Sequence, residues 1–182
     1  MVRRLPQRRR RATTAALLFL AVTVAPGAVL GFATLDGDTS HWTTTPTFSI
    51  GRPTADVAAG SDAEAIRAAF DTWARVQGSS LSFREVAARG VITVDFRQAW
   101  PREYGEFAEG VTATNRRNGV ISGAAIEFNE QTFDWTTTGQ AGRSDVQGVA
   151  THEIGHAIGL SHSFYRDATM YWSGEDAGLS DL

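Results

Sequence analysis

The stretch "THEIGHAIGLSHS", Thr151–Ser163, holds three of the four histidines in a chain of 182 residues, at positions 152, 156 and 162, with a glutamate directly after the first. On a helix, four residues turn about 400°, so His152 and His156 project from nearly one side, one turn apart. That spacing lets two imidazoles bind a single ion. The apolar positions of the same helix are Val146, Ala150, Ile154 and Ile158, and residue 152 lies about 200° from residue 150. The histidines therefore face away from the buried stripe, and a core role does not explain them. If the helix continued, His162 would lie about 9 Å further along the axis than His156. Gly159 supplies the stop: glycine takes the left-handed conformation that ends a helix, and the returning chain delivers His162.

Three neutral imidazoles on one zinc leave a fourth position for water, which marks a catalytic rather than a closed structural site. Zinc lowers the pKa of that water towards ~7. Glu153 points about 100° away from His152, so it is better placed to touch the water than to ligate. It would take the water's proton and pass it to a leaving amine. A competing reading makes Glu175 the third ligand in place of His162. The residues before it are a Gly, Ser and Asp-rich loop rather than a clear helix.

The N-terminus has a different character. "MVRRLPQRRRR" carries six arginines and no acid, and "ATTAALLFLAVTVAPGAVLGFA" follows, almost wholly apolar. A basic head, an apolar middle and a small-x-small exit at Gly31–Ala33 predict a secretory signal peptide over residues 1–33. Pro26 and Gly27 interrupt the apolar run, which favours a cleaved leader over a membrane anchor and leaves no membrane-inserted segment after cleavage. Residues 34–182 then form one domain, secreted to the extracellular space. They carry 11 arginines, no lysine and 20 acids, a net charge of −9. Such a surface argues against a nucleic-acid partner. Cysteine is absent, so this exported fold relies on its core and on metal rather than on disulfides.

Along the domain, Thr47–Ile50 is a short strand. "SDAEAIRAAFDTWARVQ" (61–77) predicts a helix with a capping box at Ser61 and Glu64 and a stripe of Ile66, Ala69, Phe70, Trp73 and Val76. "LSFREV" (81–86) and "GVITVDF" (90–96) alternate as strands do. Residues 97–109 read as a long loop, 110–114 as a strand, 115–119 as a turn and 121–129 as another strand. Ser144 and Gln147 suit a capping box opening the motif helix, which runs to about Gly159.

"HEIGHAIGLSH" resembles the zinc-binding signature of the metzincin metallopeptidases. Met170, in "DATMYW", is similar to that family's methionine turn beneath the metal. Ser163 after the third histidine, with Tyr171 after the methionine, resembles the matrixin subfamily. The resemblance implies an α+β, zincin-like catalytic domain. It would have a twisted, mixed five-stranded sheet, two main helices and an irregular C-terminal subdomain. It implies a zinc endopeptidase with Glu153 catalytic, His152, His156 and His162 holding one catalytic Zn2+, and Gly159 and Met170 supporting the site. A protein or peptide substrate would lie antiparallel along an edge strand, which by order is Gly110, Val111, Thr112, Ala113 and Thr114.

The departures from the family are specific. Residues 97–109 contain no histidine, which argues against the second, structural zinc of animal matrixins. No cysteine is present to serve a cysteine switch. Trp172 stands where many matrixins have proline. "GEDAGLSDL" (174–182) begins the family's closing helix, which is expected to be cut short. Ca2+ at oxygen-only loop sites is compatible with the composition, His41 reads as a loop histidine, and the domain reads as a monomer. The alternative function is a metal-bearing binding module of the same fold that has lost catalysis.

Overall fold

The computed structural model describes residues 40–171. The leader, Trp172, Glu175 and the closing helix lie outside the described residues. The elements run β1 (Thr47–Ile50), α1 (Ser61–Ala74), β2 (Arg84–Glu85), β3 (Ile92–Arg97), a 3-10 turn (Arg102–Tyr104), β4 (Gly110–Arg117), β5 (Val120–Asn129), β6 (Trp135–Thr136), β7 (Ser144–Asp145) and α2 (Val146–Ala157). Five of the strands form one mixed sheet in the order β2-β1-β3-β5-β4. Only the β4–β5 pair is antiparallel. β4 therefore occupies an edge, as the resemblance implied.

Alternation builds the core. Ile92, Val94 and Phe96 of β3 and Ile126 and Phe128 of β5 turn inward to meet Ile66, Ala69 and Phe70 of α1 and Val146, Ala150 and Ile154 of α2. Phe48 stacks on Phe70 at 3.9 Å, and Phe96, Phe128 and Trp135 form an aromatic cluster. Each such buried side chain contributes about 1.5–3 kcal/mol. The apolar stripe predicted for α2 is buried through Ile154, with Ile158 at the helix end packed partly against it.

Both predicted helix starts need correction. α1 is entered from Gly60 at φ 86°, with no side-chain cap, and the Ser61 hydroxyl donates to the Ala58 carbonyl instead. α2 is capped by Asp145, whose carboxylate accepts from Gly148 N at 2.7 Å. Ser144 lies in β7, its hydroxyl 2.6 Å from Glu109 Oε1. Two adjacent cap-forming residues compete there, and the charged one binds the helix N-terminus more strongly. α1 ends at Ala74, so Val76 falls beyond it and is exposed. Only Arg84–Glu85 of the 81–86 run pairs as a strand. The 115–119 turn tightens to Asn118 and Gly119, both at positive φ, so Asn115–Arg117 join β4. An Asn-Gly pair meets the needs of a two-residue hairpin turn.

The 97–109 loop is tied down by protein groups. Trp100 Nε1 donates to the Gly105 carbonyl, and its ring packs edge-on against Tyr104. Asn129 is fully buried. Its amide nitrogen donates to the carbonyls of Ala108 and Glu106, and its amide oxygen accepts from the backbone of Gln131 and Thr132. This loop delivers the chain into β4. His41 pairs through its backbone with Gly119 and Ile121, at the β4–β5 hairpin.

Candidate metal centre

Helix α2 packs against both α1 and β4. Its Thr151 carbonyl accepts from Trp73 Nε1 at 2.7 Å, and its Ala157 carbonyl accepts from Trp42 Nε1 at 3.0 Å. Two indoles thus hold the ends of the segment that carries His152 and His156. The helix stops as the spacing predicts. Gly159 has φ 102°, Gly159 N donates to the His156 carbonyl, and Leu160 N reaches back to the Gly155 carbonyl. These reversed bonds satisfy the last carbonyls of the helix. A Cβ at Gly159 would also overlap the Ser40 carbonyl.

The reversal brings His162 to the other two. Nε2 of His156 lies 3.2 Å from Nε2 of His152 and 3.2 Å from Nε2 of His162. Three nitrogens at about 2.0–2.1 Å from a tetrahedral zinc would stand about 3.3 Å apart. His152 Nδ1 is 2.9 Å from the Thr169 carbonyl and His156 Nδ1 is 2.8 Å from the Leu160 carbonyl. A carbonyl only accepts, so each of these Nδ1 atoms carries the proton and each Nε2 presents a lone pair. Lone pairs converging at 3.2 Å repel unless a cation lies among them. The triad fits zinc. Among the described residues it is the one convergence of three or more such side chains.

The electrostatics agree. Burial first, then the neighbouring His152 charge, pushes the His156 imidazole down to about 4, against the Leu160 carbonyl, which pulls it up. Burial, then His156 and His152, pushes His162 down to about 4. Both rings resist protonation and stay available as neutral donors.

Met170 is buried, and its sulfur fills the space a side chain on Gly155 would occupy. The turn that carries it also supplies the Thr169 carbonyl to His152. Ser163 N bonds the Met170 carbonyl, pairing the strand of the third histidine with that turn.

A model of the matrixin family of peptidases matches residues 20–178. The chain belongs to the matrixin family. This matrixin is 37% identical over 131 residues to the hatching enzyme of Paracentrotus lividus, covering 69% of this chain and 21% of that protein. It is 31% identical over 146 residues to the interstitial collagenase of Equus caballus, covering 79% of this chain and 30% of that protein. It is 31% identical over 107 residues to matrix metalloproteinase-19 of Homo sapiens, covering 58% of this chain and 20% of that protein. The matched segments span between a fifth and a third of these curated relatives.

Glu153 in this matrixin is not a solvated helix carboxylate. It is buried, and Thr112 of β4 donates to its Oε2 at 2.6 Å. Burial raises its pKa, and Glu109 adds to the rise, while His152 and the Thr112 hydroxyl oppose it. Gly110 lies so close that a Cβ there would come within 2.9–3.1 Å of the Glu153 side chain. Of the five expected substrate-strand residues, Gly110 and Thr112 thus turn towards α2. Val111 and Ala113 alternate to the other face, and Thr114 pairs with Ala124. Sequence reasoning missed the Thr112 hydroxyl and the carbonyls of Leu160 and Thr169. A backbone carbonyl has no sequence signal, and Thr112 meets Glu153 across 41 residues. Among the described residues, no helix is long and apolar enough to cross a membrane.

Proposed function

We propose that this matrixin is a secreted, monomeric zinc endopeptidase that hydrolyses peptide bonds in protein substrates by Glu153-assisted attack of water. The observation that carries the reading is the convergence of three imidazole nitrogens beside a buried glutamate, under the free edge of β4. His152, His156 and His162 would hold one zinc per chain. Bound there, zinc supplies a Lewis acid for the scissile carbonyl and acidifies water. Glu153 accepts the proton of the attacking water and returns it to the leaving amine. A burial-raised carboxylate suits both halves of that transfer better than an ordinary surface acid. The edge Gly110–Thr114 takes the substrate as an added antiparallel strand, aligning it by main-chain bonds. A protein substrate is in keeping with relatives named collagenase.

Intact Glu153 beside an intact triad speaks against a non-catalytic binding module. His162 Nε2 stands 3.2 Å from His156 Nε2, which supports it as third ligand. The test is digestion of a peptide library by the wild-type domain beside Glu153→Ala. Loss of the base should lower turnover at least ~100-fold while zinc content is kept. Equal cleavage by both proteins would refute the assignment.

A further inference from the structure

The Thr112 hydroxyl lies 2.6 Å from Glu153 Oε2 and 3.0 Å from the Glu153 carbonyl oxygen. A hydroxyl has one proton to give. The carboxylate is the shorter contact and the stronger acceptor. Thr112 is paired to β5 opposite Ile126, so the sheet ladder fixes its place. Gly110 on the same strand lets the backbone approach Glu153 so closely that no other side chain fits between them. Thus β4, an edge strand of the sheet, meets the side chain of Glu153 at two points: a hydroxyl on one carboxylate oxygen and a bare glycine against the stem.

We propose that Thr112 is a positioning residue that holds the Glu153 carboxylate in the orientation needed for proton transfer, leaving its second oxygen for the water. The role rests on the peptidase reading above. It also joins two parts of that reading, because the strand that aligns the substrate is the strand that orients the base. Valine at this position would keep the shape of threonine and remove the donor. Serine would keep the donor and remove the methyl.

The test compares wild type, Thr112→Val, Thr112→Ser and Glu153→Ala, all zinc-loaded, for kcat and KM on a fluorogenic peptide. It also follows the 13C resonance of the Glu153 side-chain carboxyl, identified through Glu153→Gln. Thr112→Val should bind one zinc, keep KM within about twofold and lose kcat about tenfold, the scale of one charge-assisted hydrogen bond. Thr112→Ser should recover kcat to within about threefold. The carboxyl resonance should move in the valine variant and return in the serine variant. Should the valine variant not fold, Thr112→Ala takes its place with the same expectations. Wild-type kcat and an unmoved resonance in Thr112→Val, with Glu153→Ala inactive, would overturn the role of Thr112 alone. Equal impairment of the valine and serine variants would overturn it too, since packing would then explain the loss. If wild type and Glu153→Ala cleave alike, the peptidase reading fails, and the resonance still decides whether Thr112 holds the carboxylate.

Discussion

The sulfur of Met170 occupies the space that a side chain on Gly155 would need, and Trp73 closes the same space from α1. Gly155 lies in the helix turn between His152 and His156, so the methionine packs directly behind the ligand-bearing face. Glycine within a helix costs about 1 kcal/mol relative to alanine, yet alanine here would displace Met170 or its neighbours. Overpacking of this kind costs typically 1–3 kcal/mol. Gly155→Ala is therefore expected to lower the melting temperature despite its better helix propensity. It should also weaken zinc binding, because the Met170 turn supplies the carbonyl that orients His152. A rise in melting temperature would mean that the contact is loose enough to absorb a methyl.

The acid response follows from the depressed histidines. An unfolded imidazole titrates near ~6.5, whereas His156 and His162 in the metal-free fold are held to about 4. Between those values the unfolded chain binds protons that the folded chain refuses. Stability is then lost as pH falls from about 6.5 towards 4. Glu153 acts in the opposite sense, since its raised pKa gives stability that is present in acid and lost as pH rises through its folded value. The urea midpoint of metal-free protein should drop between pH 7 and pH 5, and His156→Ala should flatten that drop. In the zinc-loaded protein, protons also compete for the ligands, so added zinc should move the acid limb to lower pH. An acid limb indifferent to zinc would assign it to other groups.

The motif helix was readable because one segment carries two independent patterns: an apolar stripe at Val146, Ala150 and Ile154, and ligands on the side away from it. The edge position of β4 followed from the family resemblance, once the elements were matched in order. Helix caps were less legible. Ser144 and Asp145 are both good caps, and charge together with the Glu109 contact of Ser144 separates them. β6 and β7 have two residues each, too few for any period to show. The contacts that finish the site, Thr112 on Glu153 and the carbonyls on His152 and His156, depend on tertiary placement and leave no trace in local sequence.

Asn129 shows how the approach to β4 is kept rigid by a side chain. Its amide makes contacts on both sides, to carbonyls at Glu106 and Ala108 and to backbone amides at Gln131 and Thr132. Replacing it with leucine keeps the volume and removes all four bonds, of which the one to the Ala108 carbonyl is buried. Each unsatisfied buried group costs about 1–3 kcal/mol. Asn129→Leu is expected to lose stability and to raise amide exchange in residues 105–110 more than elsewhere. With the loop loosened, KM should rise more than kcat falls if β4 aligns the substrate as proposed. Exchange that rises evenly across the chain would show that Asn129 supports the fold generally and not this loop.

Gly159 is the residue on which the third ligand depends. Its φ of 102° lies in a region that other residues enter at a cost, and the space beside it is filled by the Ser40 carbonyl. Gly159→Ala therefore meets two penalties, a strained backbone of about 1–2 kcal/mol and a clash with main chain that has no flexible end to yield. The relief open to the chain is to shift the reversal, which moves His162 away from the pair on α2. His152 sits earlier on the helix and keeps its Thr169 carbonyl, while the Leu160 carbonyl that holds His156 Nδ1 shifts with the reversal. The expected result is a folded protein whose zinc affinity falls at least ~10-fold, in the range typical of lost support around a ligand. A competition titration with a chromophoric chelator measures it. His162→Ala serves as the reference for complete loss of the third ligand. If Gly159→Ala melts lower yet binds zinc as tightly as wild type, the reversal tolerates the alanine without moving His162, and the glycine serves stability alone.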